Sequence, residues 1–365
     1  MTIPLIGVRV LDFTRVLAGP LASMILGDLG AEVIKIERPI AGDDSRSWGP
    51  PFDERGESAY YLSCNRNKLS VSADLNDLSD VRLLGTLAAG ADVIIDNFLP
   101  GTLERHGLDP VLLLAAHPNL IWCTITGFGA ASGRPGYDYV VQAESGWMSI
   151  TGEVGRAPMK VGVALADVIA GKDAAIAILA ALAGTRRGTA VERRVFVSLY
   201  HGAVGALVHV AQNALVTGAD ALRWGNAHPN LVPYETFPAS DRDVVIAVGS
   251  DAQFAALIGA LDLPVLAGSR FSTNAGRLMH RDEVVDVVRA CLATAPAAHW
   301  ISLLDRAGVP CGVVRSVLEA LAEVSASALT GIAPLAPGTI RRAPPTLDQH
   351  GALVRARGWD AFTVC

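Results

Sequence analysis

Apolar and polar positions along the first half of the chain fall into short blocks that separate strands from helices. Apolar runs at Val8–Phe13, Glu32–Glu37, Asp92–Asn97 and Leu120–Thr126 have the length of buried strands, and Pro20–Leu29, closed by Gly30, has that of a helix. Strands alternating with helices predict an α/β fold with a parallel, doubly wound sheet. Val161–Ala166 reads as a further short strand and Val168–Ala183 as a helix rich in alanine and isoleucine. The pattern then changes. GTRRGTAVERR carries four arginines in eleven residues and reads as a solvated loop, while VFVSLYHGAVGALVHVAQNALV reads as one long buried helix with no strand. Between Gly225 and about Val314 lies a second unit of α+β character, with a strand at Val244–Val248 and helices at Asp251–Leu261, Arg281–Ala293 and His299–Ala307. The last part, with Pro334, Pro337, Pro344 and Pro345, reads as irregular chain packed back on the first unit.

Composition narrows the chemistry mainly by exclusion. At 365 residues the chain exceeds what one core usually supports, so two domains are expected. A net charge of −6 without a lysine or arginine patch argues against a nucleic-acid partner. The five cysteines, Cys64, Cys123, Cys291, Cys311 and Cys365, are scattered and form no CxxC pair, which suits a reducing, cytoplasmic setting. The start, MTIPLIGVRVLDF, has no signal-peptide pattern, and Lys172 and Asp173 interrupt the most apolar helix, so neither a leader nor a membrane span is expected. The eight histidines show no HxH or HExxH spacing and no GxSxG is present, so a metal site or a serine nucleophile has no support.

In a doubly wound sheet ligands bind beyond the carboxyl ends of the strands. Those positions hold Thr14–Pro20, Glu37–Pro39, Asn97–Gly101 and Gly127–Gly129. The first turn, DFTRVLAGP, lacks GxGxxG, which disfavours NAD or FAD. Arg38 stands where such folds read the ribose, and a guanidinium suits a ribose phosphate; Lys68 and Arg105 could add charge to the same rim. Asp167 is the isolated carboxylate of the apolar stretch MKVGVALADVIAG. It has two readings. As a helix N-cap it would stabilise the fold by about 0.5–2 kcal/mol. Ionised and poorly hydrated, it could instead act as a nucleophile.

Nine segments in order, VLDFTRVLAGP, GAEVIKIERP, NRNKLSVSADL, DNFLPGTLERHGLDP, LIWCTITGFG, RPGYDYVVQAESGWMSITGE, PMKVGVALADVIAG, GNAHPNLVPYETF and AGVPCGVV, resemble the class III coenzyme A transferases, a family that includes carnitine CoA-transferase, formyl-CoA transferase and α-methylacyl-CoA racemase. The resemblance spans nearly the whole chain. It implies an acyl-CoA:carboxylate CoA-transferase in which Asp167 attacks the thioester and carries CoA as an aspartyl intermediate. It implies coenzyme A as substrate, with no metal, NAD or FAD, and Arg38 at the 3′-phosphate. Val16, Leu17, Ala73, Asn97, Phe98, Leu99, Arg105, Arg134 and Tyr137 would line the CoA groove. Tyr137, Trp147, Tyr234 and Glu235 would surround the acceptor, a small carboxylic acid.

The family fold implies a Rossmann-like large domain from residues 1–193 and 315–365, a crossing linker at 194–224 and an inserted small α+β domain at 225–314. Two such ring-shaped chains would interlock as a homodimer. The alternative within the family is a 2-methylacyl-CoA racemase, whose histidine precedes an aspartate where this chain has Tyr137 before Asp138; a phenol is a poor base at neutral pH. A CoA-binding homologue without activity is a third reading. Two departures stand out: the short GFGAASGRPGYD segment and the irregular TRRGTAVERRVFVSL turn. The glycine-rich loop of formyl-CoA transferases has no match, GSDAQ being the nearest segment.

Overall fold

The computed structural model describes residues 3–189 and 191–364; Cys365 and, in the arginine-rich turn, Ala190 lie outside them. Chain order is β1 Arg9–Asp12, α1 Ala18–Asp28, β2 Glu32–Glu37, α2 Ala59–Leu62, β3 Lys68–Ser72, α3 Leu78–Ala89, β4 Val93–Asp96, α4 Pro110–Ala116 and β5 Ile121–Thr126. Next come α5 Asp138–Glu144, α6 Trp147–Ile150, α7 Leu165–Arg186, β6 Arg194–Ser198, α8 Leu199–Gly205 and α9 His209–Thr217. The strands form one six-stranded parallel sheet in the order β3-β2-β1-β4-β5-β6. That order reverses direction between β1 and β4, which opens a crevice at their carboxyl ends.

Side chains alternate across each strand, so neighbours feed different cores. Val10, Val33, Val93, Ile95 and Ile125 face one cluster with Ala22 and Leu26 of α1 and Ala170, Ala174 and Ile178 of α7. Leu11, Ile34, Ile94 and Trp122 face the other, closed by Leu84 and Leu87 of α3 and by Val354 and Trp359 of the C-terminal segment. There α15, Gly351–Arg357, forms part of the same unit, which comprises residues 1–148, 160–220 and 324–365.

The second unit, residues 149–159 and 221–323, carries an antiparallel sheet of β7 Tyr234–Pro238, β8 Asp243–Ala247 and β9 Cys311–Val313. Helices α10 Asp251–Ala260, α11 Asn274–Met279, α12 Arg281–Leu292, α13 Ala297–Arg306 and α14 Val317–Leu321 accompany it. Phe237, Ile246, Phe254, Val288 and Trp300 are among its core residues.

Three sequence expectations fail. The expected long helix after the arginine-rich turn is an edge strand, β6, followed by two short helices broken at Val208, whose φ is 42°. Far from being buried throughout, that segment ends in α9, which has no buried residue. The expected strand at Val161–Ala166 is absent because its backbone bonds to the Gln142 side chain: Val161 N donates to Oε1 at 2.9 Å and Nε2 donates to Val163 O at 3.2 Å. Lys68, expected on a cationic rim, is fully buried in β3, where it pairs with Asp12 at 3.2 Å and donates to Pro20 O and Asn65.

No single helix among the described residues is long and apolar enough to cross a membrane, and no group of metal-ligating side chains is found among them. Cys64, Cys123, Cys291 and Cys311 are free thiols.

Candidate active site

The turn after β1 is held by buried charge. Asp12 accepts the Thr14 N–H at 2.9 Å and its hydroxyl at 2.5 Å, and Lys35 donates to Thr14 O at 2.8 Å. Asn97 clamps the next residue, accepting Arg15 N at 3.1 Å and donating to Arg15 O at 2.9 Å. Val16 N donates to Asp43 at 3.1 Å, and Val16 adopts a φ of 74°, a left-handed conformation that β-branched residues avoid. Burial opposes ionisation of Asp43, but the Lys35 ammonium 2.8 Å away outweighs it and holds the carboxyl at about 2. A backbone with this many fixed contacts can hold a strained residue at the mouth of α1. Leu17, at the N-cap of α1, gives the helix no side-chain cap, and no acidic residue stands in its first turn.

Asp167 is the third residue of α7, not its N-cap, because the helix begins three residues earlier than the pattern suggests. The cap position falls to Ala164, which has no side chain to offer. Asp138, first residue of α5, supplies the cap instead: its Oδ1 accepts Ala166 N at 2.8 Å and Asp167 N at 3.3 Å. Its second oxygen takes the Gln142 amide at 2.7 Å. Among the described residues no hydrogen bond reaches the Asp167 carboxylate itself. Partial burial, and after it the Asp138 charge, push this carboxyl up to about 7.

Asp167 opens into a cavity of about 270 Å³ that Arg15, Val16, Leu17, Asn97, Phe98, Leu99, Arg134 and Tyr137 also line. A second cavity, of about 250 Å³, shares Arg15 and Phe98 and adds Arg38, Ala73, Asp43 and His106. Nine of the ten groove residues inferred from sequence thus line one or other of these two cavities, and Asp167 lines the first. Arg105 lines neither cavity and is exposed. Trp147 is buried, its indole donating to Ala203 O at 2.9 Å, and it belongs to the core. The guanidiniums on the walls are paired within the chain: Arg15 and Arg38 share Asp44, and Arg134 meets Glu144 at 2.6 Å while stacking on Phe128.

The contacts that other site residues make carry no sequence signal. Asp43 and Asp44 sit in an unremarkable GDDSR turn, and nothing in spacing ties Asp138 to a helix that starts 27 residues later. Tyr60 is another: burial, then Asp167, push its phenol up to about 12, so it stays protonated near the carboxylate. The short GFG-to-RPGYD segment closes by backbone contact. A Cβ on Gly136 would stand 2.2 Å from the Gly127 Cα, so only glycine fits there.

The chain matches the model of CoA-transferase family III over residues 5–356. It belongs to that family. As a family III member it is an enzyme of CoA transfer, and CoA thioesters are its substrate class. It is 43% identical over 324 residues to the succinyl-CoA:glutarate CoA-transferase of Mus musculus, covering 88% of this chain and 74% of that one. To the succinate–glutarate CoA-transferase of Agrobacterium fabrum it is 40% identical over 329 residues, covering 88% and 82%. A CAIB/BAIF family protein from Brucella suis has a crystal structure that superposes with a TM-score of 0.85 at 37% identity, covering 97% of this chain and 98% of that one.

Proposed function

We propose that this family III enzyme moves CoA between short dicarboxylic acids, succinate and glutarate being the class that its relatives' names suggest, with Asp167 as covalent relay. The observation that carries the reading is a carboxylate without a hydrogen-bond donor, facing a cavity at the carboxyl end of the sheet. Such a group is poorly solvated and therefore nucleophilic once ionised.

Asp167 attacks the thioester carbonyl; the C–S bond breaks, leaving a mixed anhydride and CoA thiolate. The thiolate then attacks the aspartyl carbonyl, releasing the donor acid and forming an aspartyl thioester. The acceptor carboxylate attacks that carbonyl, breaking its C–S bond and giving a second mixed anhydride; the expelled thiolate attacks the acceptor's carbonyl, forming the new thioester and freeing Asp167. Nothing is oxidised or reduced, and no proton is gained or lost over the cycle. Each attack develops an oxyanion, for which the uncapped first turn of α1 at Ala18 and Gly19 offers backbone N–H groups. The two cavities suit a long ligand, its thioester end by Asp167 and its phosphorylated end by Arg38. Arg38 would exchange Asp44 for the phosphate. An interlocked homodimer, the arrangement implied by the resemblance, would cover the apolar surface of α9.

Racemisation fits less well. A proton shuttle needs a carboxylate free to move, whereas Asp138 already accepts three hydrogen bonds. The test is mass spectrometry of enzyme incubated with succinyl-CoA and then with hydroxylamine. The expected result is a hydroxamate on Asp167, with Asp167→Ala retaining less than about a thousandth of the transfer rate. Full transfer by that variant, or an unmodified Asp167, overturns the relay.

A further inference from the structure

We infer that Asp138 is a positioning residue: with Gln142 it fixes the turn that leads into α7 and so sets where the reactive carboxylate stands in the cavity. The inference rests on the reading of Asp167 as the relay. Residues 161–167 have little other support, since no strand pairs with them and Ala164 cannot cap the helix. Two side chains of α5, one turn apart, supply the missing contacts. Gln142, fully buried, accepts Val161 N at 2.9 Å and donates to Val163 O at 3.2 Å and to Asp138 at 2.7 Å. Asp138 accepts Ala166 N and Asp167 N, so the relay's own backbone amide is held by it. A buried amide joined to a half-buried carboxylate in one satisfied network is rigid, because each alternative position leaves a group unpaired.

The same helix also fixes the cavity wall. Tyr137, immediately before Asp138, and Arg134 and Gly136 all line the cavity that holds Asp167. Wall and nucleophile therefore share one anchor, and a shift of α5 would move both. All three groups that Asp138 contacts are donors, so both of its oxygens are engaged as acceptors. Its charge reaches Asp167 as well, so the residue acts on both position and ionisation. The other titratable or charged groups around the carboxyl are Tyr60 of α2 and, on the cavity wall, Arg15, Asp44, Arg134 and Tyr137. On α8, His201 faces Asp173 across a separate groove.

Asp138→Ala and Asp138→Asn, made in the full chain, separate the two effects. Asparagine keeps an acceptor oxygen for the Ala166 and Asp167 amides and removes the charge. Expected for the alanine variant is a fall in kcat of about thirtyfold or more with KM for succinyl-CoA changed less than about threefold. The asparagine variant should recover at least about a third of parental kcat and move the acidic limb of kcat/KM to lower pH. Parental kcat in Asp138→Ala overturns the inference. So does an asparagine variant as slow as alanine with an unmoved acidic limb, which would mark Asp138 as a proton carrier. If the alanine variant does not fold, judged by its melting curve, the asparagine pH profile decides alone. Asp167→Ala, assayed alongside, separates the two failures: if it still transfers CoA, the relay reading falls and takes this inference with it. If it is inactive while Asp138→Ala runs at full speed, only the positioning role is lost.

Discussion

Ionised Asp167 is a burden on the fold. Its carboxyl lies near 7 in the folded chain against an ordinary value of 3.8, so between those pH values the folded state holds a proton that the unfolded state has released. Stability contributed by that proton is complete below about pH 4 and falls as pH rises, and is gone once pH passes about 7. The full shift would correspond to about 4 kcal/mol; the side chain keeps some contact with water, so about 1–3 kcal/mol is the better expectation. Asp167→Asn should therefore raise the melting temperature at pH 8 by roughly 2–6 °C and leave it unchanged at pH 4. Scanning calorimetry at the two pH values checks this; equal melting of parent and variant at pH 8 contradicts a strained carboxylate. The parent's kcat/KM should correspondingly climb with pH up to about 7, because only the carboxylate attacks. A pH–rate profile that is flat from pH 5 to 8 would be incompatible with it. The sequence shows Asp167 as an isolated acid in apolar surroundings, which is enough to single it out. It does not show the donor-free environment, because the nearby N–H groups are taken by Asp138, a residue in another helix.

At the scale of elements, the site depends on how closely α7 lies on α1. Gly171, one turn after Asp167, is the contact point: a Cβ there would stand 2.6 Å from the Ala18 carbonyl oxygen and 3.2 Å from Leu21. Gly171→Ala must push the first turn of α1, with its open N–H groups, away from the nucleophile. The expected outcome is a loss of about tenfold or more in kcat/KM beside about 1–3 kcal/mol of stability, measured by steady-state kinetics and urea unfolding. Activity kept at parental level would show that the spacing of the two helices is not what aligns the oxyanion donors. The elements themselves were legible where burial is purely apolar. β2 and β5 follow the apolar runs to within a residue. β3 and β6 were not read as strands for a physical reason: they carry charge or hydroxyls into the sheet. Lys68 and Ser70 of β3 are buried because Glu37 of the adjacent strand β2 awaits Ser70 and Asp12 of β1, one strand further on, awaits Lys68. β6 opens with Arg194, whose guanidinium lies over Phe196 and donates to Thr124. Internal ion pairs of this kind look like solvated surface in a linear pattern.

On the scale of the whole molecule, the surface of the larger unit carries apolar side chains that one chain does not cover. Val208, Leu215 and Val216, on and beside α9, are 69%, 78% and 75% exposed, and Ile176 of α7 and Phe196 of β6 are exposed too. Scattered apolar residues are ordinary on a protein surface, but a helix without a single buried residue seldom stands alone. A second copy of the chain, interlocked as proposed above, would bury α9 and account for its composition. Light scattering should then give twice the chain mass. Interlocking makes a stricter demand than association does, because linked rings cannot part without local unfolding. Tagged and untagged enzyme, mixed at 25 °C, should form no hybrid dimers over a day, whereas co-expression of the two forms should yield hybrids in roughly the statistical half of dimers. Rapid hybrid formation on mixing would show two subunits that only touch, and a monodisperse monomer with full transfer activity would remove the dimer altogether. Leu215→Asp combined with Val216→Asp extends the test: charges on a face buried in the dimer should abolish assembly and lower soluble yield, while on a free surface they should change neither.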